Sequence, residues 1–110
     1  MRIAVPTVDG KLCMHFGHSQ QFILVEVQDG EIKNVEAAIP PPHAPGVLPK
    51  WLREQGVDII IASGMGRRAQ MLFQENNIEV IVGAPVMKPE ELVGQYVKGE
   101  LEPGENVCDH

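Results

Sequence analysis

The chain has 110 residues and a net charge of −6, and 44% of its residues are hydrophobic. This is the composition of one ordinary globular domain, and every apolar run is shorter than the roughly 20 residues of a membrane helix. The first apolar stretch is too short for a secretory signal, and the acidic balance disfavours nucleic acid, which binds clustered Lys and Arg. The sequence therefore predicts a cytoplasmic protein without nucleic-acid or membrane partners.

Apolar runs and turn signals predict eight elements in the order βββαβαβα. Asp29-Gly30 is typical of a tight hairpin between the second and third strands, and the prolines from Pro40 to Pro42 predict a stiff loop. The predicted strands lie at about 2–8, 21–27, 31–39, 57–62 and 78–82, and the three helices begin near Val47, Gly66 and Pro89 and end at Gly56, Asn76 and Gly99.

An antiparallel start followed by right-handed crossovers predicts the strand order 3-2-1-4-5. This is an α/β fold of the ribonuclease-H-like kind, with a five-stranded mixed sheet and three helices. Residues 1–99 are expected to form the single domain, and residues 100–110 a polar tail. Four loops then leave the edge of the sheet at which open α/β sheets bind ligands: 9–19, 40–46, 63–66 and 83–88.

Metal-ligating side chains are concentrated on these loops. Cys13, His15 and His18 lie within six residues of one another, and thiolate plus imidazole suits Zn, Cu, Fe or an iron–sulfur cluster. His43 on the next loop is a candidate fourth donor. We expect these side chains to lie on the surface and to contribute little to the core.

The tail repeats the Cys-x-His spacing of the first loop at Cys108 and His110. Pro103-Gly104 can reverse the chain direction. We therefore predict that the tail returns to the loops and completes the metal site.

Small residues precede the second helix at Gly64, Met65 and Gly66, and Arg67 follows them. The positive end of a helix dipole favours an anion there. Because all three predicted helices begin at the same edge, the site suits a ligand of net negative charge, such as a metal–sulfide cluster.

Catalysis has little support in the sequence. A two-metal nuclease needs carboxylates on its central strands, but residues 2–8 contain none and Asp58 lies at the opposite end of its strand. Ser63 and Cys13 each lack an orienting acid. The chain is therefore predicted not to be an enzyme.

Four motifs occur in order along the chain: Ile3-Ala4-Val5-Pro6, His15-Phe16-Gly17, Gly64-Met65-Gly66 and Gly99-Glu100-Leu101-Glu102. Over residues 1 to about 102 the sequence resembles the dinitrogenase iron–molybdenum cofactor biosynthesis family, which comprises small NifX-type proteins of ribonuclease-H-like fold. The resemblance implies binding, storage or delivery of an iron–molybdenum or related metal–sulfur cluster, with cofactor-assembly proteins as partners. It places the ligand at the loop of His15 and His18 and at the Gly64–Gly66 turn.

Two other interpretations stay open from the sequence. In the first, one Zn or Fe ion occupies a structural or sensory Cys/His site. In the second, the chain is an interaction module whose Cys and His residues are incidental. The sequence departs from the family pattern in the loop at 40–46, which is proline-rich where many relatives are glycine-rich, and in the ending that contains Cys108 and His110. The extra Cys and His favour a metal site but leave the identity of the metal open.

Overall fold

A computed structural model describes residues 1–42, 46–102 and 104, with the backbone alone at His18. The chain is a mixed α/β structure with three helices, as predicted. Its strands are β1 (Arg2–Val8), β2 (Lys11–Leu12), β3 (Gln21–Gln28), β4 (Glu31–Ala38), β5 (Ile59–Ile61) and β6 (Glu79–Ile81), and its helices are α1 (Val47–Glu54), α2 (Arg67–Glu75) and α3 (Pro89–Val97). None of the helices in this part of the chain has the length and apolarity needed to cross a bilayer.

The five main strands lie in the order β4-β3-β1-β5-β6, which confirms the predicted order. β1 pairs antiparallel with β3 and parallel with β5, so that Ala4 lies between Leu24 and Ile60. The parallel pairs follow from the helical connections, since a crossover brings the chain back to the edge at which the previous strand began.

The predicted number of strands is wrong, because the described part of the sheet has six. β2 pairs antiparallel with the end of β1, with Thr7 opposite Leu12. Asp9 and Gly10 connect the two strands with φ angles of 52° and 81°, as a two-residue hairpin requires. A two-residue strand is too short to show alternation, which is why the sequence pattern did not predict it.

The hairpin between β3 and β4 turns at Asp29 and Gly30, which also have positive φ, as predicted. The register of this pair shifts at Glu26 and Val27, and the shift leaves Lys33 on β4 without an opposite residue. β4 is exposed along nearly all of its length. A bulge and a charged side chain on an exposed edge strand disfavour pairing with other chains.

Two hydrophobic clusters cover the two faces of the sheet. Successive residues of β1 alternate between them: Ala4 packs with α1 and α2, while Ile3 and Val5 pack with α3. Complete burial of one large apolar side chain contributes about 1.5–3 kcal/mol, so these clusters hold the helices on the sheet. The largest buried side chains include Phe22, Leu52, Ile60, Phe73 and Leu92.

All three helices begin at the carboxyl ends of strands, because each follows a strand that runs parallel to β1. α3 begins with Pro89 and has Glu90 and Glu91 in its first turn, which suits the positive end of its dipole. The first turn of α2 contains no acidic residue. The loops at this edge, which we call the carboxyl edge, contain the predicted site.

Candidate functional site

The segment after β2 runs beside the turn after β5. The Gly64 amide donates to the Met14 carbonyl oxygen and the Phe16 amide donates to the Gly64 carbonyl oxygen, both at 2.9 Å. His15 and Gly64 thereby form a parallel β-bridge. The structure thus brings together two of the loops on which the sequence predicted ligands.

A third loop, after β6, joins the same assembly. The Gly83 amide donates to the Ser63 carbonyl oxygen at 2.7 Å, and the Leu12 amide donates to the Met87 carbonyl oxygen at 2.9 Å. The loops at 12–16, 63–64 and 83–87 are therefore connected through their main chains.

Phe16 anchors the His15 loop to the core. Its ring lies edge-on to Phe73 of α2 at 5.5 Å between centroids and to Phe22 of β3 at 6.1 Å. The Ser19 hydroxyl donates to the Phe16 carbonyl oxygen at 2.9 Å. Phe16 is part of the sequence motif His15-Phe16-Gly17, but the anchoring roles of Phe16 and Ser19 were not predicted, although an aromatic residue directly after His15 was a usable signal.

Cys13 is not on the surface, and that expectation is wrong. Its side chain is 3% exposed, and its thiol donates to the His15 carbonyl oxygen at 2.9 Å. The cause is the β2 hairpin, since the Cys13 amide donates to the Pro6 carbonyl oxygen at 2.9 Å and so holds the residue against β1. Cys13 therefore contributes to the core as well as lying beside the predicted site.

The predicted metal donors are only partly covered by the described residues. His15 is exposed on its loop, and the His18 backbone lies in a 3-10 turn that begins at Phe16. His43, Cys108 and His110 lie outside the described residues. Within 1–42, 46–102 and 104, no three His, Cys, Asp or Glu side chains are grouped as a metal site requires.

The turn that precedes α2 is partly buried. The Met65 side chain is 1% exposed within the α1 and α2 cluster, and its carbonyl oxygen accepts a hydrogen bond from the Gln70 side chain at 2.8 Å. Gly66 is the N-cap of α2, and Arg67 is exposed in the first turn. The Gly64 amide donates to the Met14 carbonyl oxygen and is therefore already used within the protein.

Comparison with known proteins gives the family. The sequence profile described as "Dinitrogenase iron-molybdenum cofactor" matches residues 1–99. The chain belongs to this family. The resemblance found in the sequence motifs is thus confirmed.

Several known proteins are similar to nearly the whole chain. Protein MJ0580 of Methanocaldococcus jannaschii is 33% identical over 107 residues, which cover 93% of this chain and 90% of that protein. The crystal structure of PH0822 is 30% identical with a TM-score of 0.86, over 94% of this chain and 96% of that one. The apo form of the orange protein from Desulfovibrio gigas has the same fold, with a TM-score of 0.75 at 20% identity over 96% and 93% of the two chains.

The tail begins beyond the residues that match the dinitrogenase iron–molybdenum cofactor family. The Gly104 amide donates to the Gly83 carbonyl oxygen at 2.6 Å, and a Cβ on Gly83 would overlap the Gly104 carbonyl group. The chain therefore returns from the end of α3 to the carboxyl edge by residue 104, in the direction that the sequence predicted. Whether Cys108 and His110 complete the site stays a prediction.

Tyr96, whose hydroxyl has a raised pKa, lies away from these loops. Burial, together with the negative charge of Glu79, raises the pKa of the Tyr96 hydroxyl above its ordinary value. Glu79 begins β6 and Tyr96 is near the end of α3, so this pair lies at the opposite edge of the sheet.

Proposed function

We propose that this chain binds an iron–molybdenum or related metal–sulfur cluster at its carboxyl edge and stores it or delivers it for cofactor assembly. The observation that carries the proposal is the β-bridge between His15 and Gly64. It holds an exposed imidazole beside the start of a helix, so that a metal donor and an anion-binding backbone face the same ligand. Family membership supports a cofactor of this class.

The donor chemistry fits a cluster of this kind. Imidazole and thiolate bind iron and zinc, and soft sulfur ligands suit metal–sulfur clusters. His15 is exposed on its loop, and Cys13 becomes a ligand when its thiol gives up the hydrogen bond to the His15 carbonyl oxygen. His18, His43, Cys108 and His110 are the further donors in this proposal, with Gly64, Met65, Gly66 and Arg67 forming the helix start.

The electrostatics of α2 favour an anionic cargo. The first hydrogen bond along this helix runs from the Gln70 amide to the Gly66 carbonyl oxygen at 3.1 Å, so the amides before Gln70 are at the positive end of the dipole. The first turn contains no acid, and Arg67 and Arg68 are exposed there. A cluster with net negative charge is attracted by all of these groups.

Binding without turnover is the second part of the proposal. Asp58 lies directly before β5, at the amino ends of β1 and β5, where it accepts a hydrogen bond from the Arg2 amide at 2.9 Å. A two-metal nuclease needs carboxylates that project from its central strands, and β1 and β5 contain no acidic residue. We further propose a cytoplasmic, ribonuclease-H-like carrier whose partners are cofactor-assembly proteins, and not nucleic acid or a membrane.

Metal analysis of protein purified without oxygen tests the proposal. We expect molybdenum, or several iron atoms with sulfide, in each chain, and we expect His15→Ala and His18→Ala each to weaken cluster binding about tenfold, as loss of a donor or of its support does. Lys98→Glu is the matched control, because Lys98 is exposed at the far end of α3.

Three results would contradict the proposal in different ways. One zinc or iron ion per chain without sulfide indicates the structural or sensory site instead. Protein that contains no metal, and takes up none with iron, sulfide and tetrathiomolybdate, indicates an interaction module. Equal loss of binding in His15→Ala and Lys98→Glu shows that binding does not depend specifically on the His15 loop.

A further inference from the structure

The solvent side of α2 combines two cations with an apolar side chain. Arg67, Arg68 and Met71 are exposed, and Met71 is 59% exposed. Residues three and four positions apart are neighbours on a helix surface, so Met71 lies between the two arginines. The apolar side chain is therefore presented to solvent within a basic surface.

A second exposed methionine lies on the adjoining loop. Met14 is 52% exposed, and its carbonyl oxygen accepts the Gly64 amide three residues before α2 begins. The contact between the rings of Phe16 and Phe73 ties this loop to α2 itself. Met14 is thus an exposed residue of the loop that adjoins the start of α2, and we call Met14, Arg67, Arg68 and Met71 together the methionine–arginine face.

The charge of this face is opposite to that of the whole chain. The net charge is −6, yet the first turn of α2 has no acid, and no ion pair within the described residues involves Arg68. The acid on the same helix is Glu75, which neighbours Met71 at the far end of the face but lies seven residues beyond Arg68, about 10 Å along the axis. An acidic surface is the complement of this face.

We infer that the methionine–arginine face docks an acidic surface of another protein, which exchanges the cluster with this chain. Methionine adapts to differently shaped partners, and Met and Arg are both enriched at protein interfaces. A small inorganic anion gains nothing from two exposed methionines. Nucleic acid is disfavoured because the rest of the chain repels phosphate. The identity of the partner as a cluster protein rests on the proposed function; the docking itself does not.

Methionine-methyl NMR on the metal-free, full-length protein tests the inference. The probe is a helical peptide of about 20 residues with leucine on one face and glutamate on the other. The chain has five methionines; we expect the methyl signals of Met14 and Met71 to shift on titration. Those of Met1, at the opposite edge, and Met65, in the core, should stay in place.

Substitutions of exposed residues on and away from the face compare their effects on the Kd of the peptide. Arg68→Glu should raise the Kd of the peptide about tenfold, while Lys98→Glu, the same charge change on α3, should change it less than about twofold, because a complementary charge acts over short range. Met71→Ala should weaken binding about threefold. All three residues are exposed, and the thermal unfolding midpoint confirms that each variant is folded.

The same titration tests whether the methionine–arginine face binds a nucleic acid or a small anion instead. A single-stranded oligonucleotide that gives the same shifts at the same concentration overturns the inference, because the face then responds to charge alone. The inference is also overturned if tetrathiomolybdate shifts the methyl signals of both Met14 and Met71 while the peptide shifts neither. If the chain binds the peptide but takes up no cluster, the docking inference stands and the proposed function is refuted. Failure of docking and failure of cluster binding are therefore distinguishable.

Discussion

Replacement of Gly83 by alanine tests how the tail is held at the carboxyl edge. Gly83 has a φ of 78°, and a Cβ at this position would overlap the Gly104 backbone. The variant therefore carries two costs, strain in the left-handed region and displacement of residue 104. Gly56→Ala is the matched control, since Gly56 has a φ of 79° and open space around its Cβ position.

The two costs can be separated by subtraction. The left-handed conformation costs an alanine about 1–2 kcal/mol, offset by about 0.4–1 kcal/mol of lost unfolded-state entropy, and both variants share these terms. Gly83→Ala also loses the hydrogen bond from the Gly104 amide, a contribution of about 0.5–1.5 kcal/mol. We expect Gly83→Ala to be less stable than Gly56→Ala by about 1 kcal/mol.

Urea unfolding followed by Trp51 fluorescence measures this difference. Trp51 is the sole tryptophan of the chain and its ring lies edge-on to Phe22 at 5.8 Å, so its emission reports on the core. Hydrogen exchange at the Gly104 amide gives an independent readout, and we expect its protection to be lost in Gly83→Ala and kept in Gly56→Ala. Equal stability of the variants to within about 0.3 kcal/mol, with Gly104 still protected, would refute the reasoning.

Three further outcomes follow from the structure. Phe16→Ala should lower the free energy of unfolding by about 2–3 kcal/mol, somewhat less than a fully buried Phe, and should weaken cluster binding through the loosened loop; unchanged binding would show that Phe16 does not hold His15. In a Cys108→Ser background, the buried Cys13 thiol should react with iodoacetamide at least about tenfold more slowly than in urea, whereas equal rates would show an exposed thiol. Because the pKa of Tyr96 is raised in the folded state, the protonated hydroxyl stabilises the fold. This contribution is fully present below the unfolded-state pKa of about 10 and is lost as pH rises through the folded-state pKa. Urea unfolding of wild type and Tyr96→Phe between pH 8 and about 11.5 checks this, and a parallel decline in both would contradict it.

The sheet order was predictable because long-range features have local signals. Apolar runs mark β1, β3 and β5, and Asp29-Gly30 marks the hairpin turn. The same turn signal occurs at Asp9-Gly10, but the strand that follows has two residues, so no periodic pattern accompanied it. Short elements are specified by the strand against which they pair, and this information lies elsewhere in the chain.

The candidate site was predictable to the level of its loops but not of its side chains. Strand direction alone placed the loops of His15 and Gly64 at one edge. The burial of Cys13 depends on the hydrogen bond from its amide to the Pro6 carbonyl oxygen. The contact between Gly83 and Gly104 depends on the path of the tail. Both are tertiary contacts between main-chain groups, for which side-chain chemistry provides no signal.

The main-chain bonds around His15 have a consequence for what the loop presents to a ligand. The amides and carbonyl oxygens of Met14, Phe16 and Gly64 hold the loop, and these groups are the same whichever side chains they carry. A change of residue at Met14 or His15 therefore alters what the loop offers to a ligand without moving the loop. Such a backbone frame separates the position of the loop, which Phe16 anchors in the core, from the chemistry of the side chains that the loop presents.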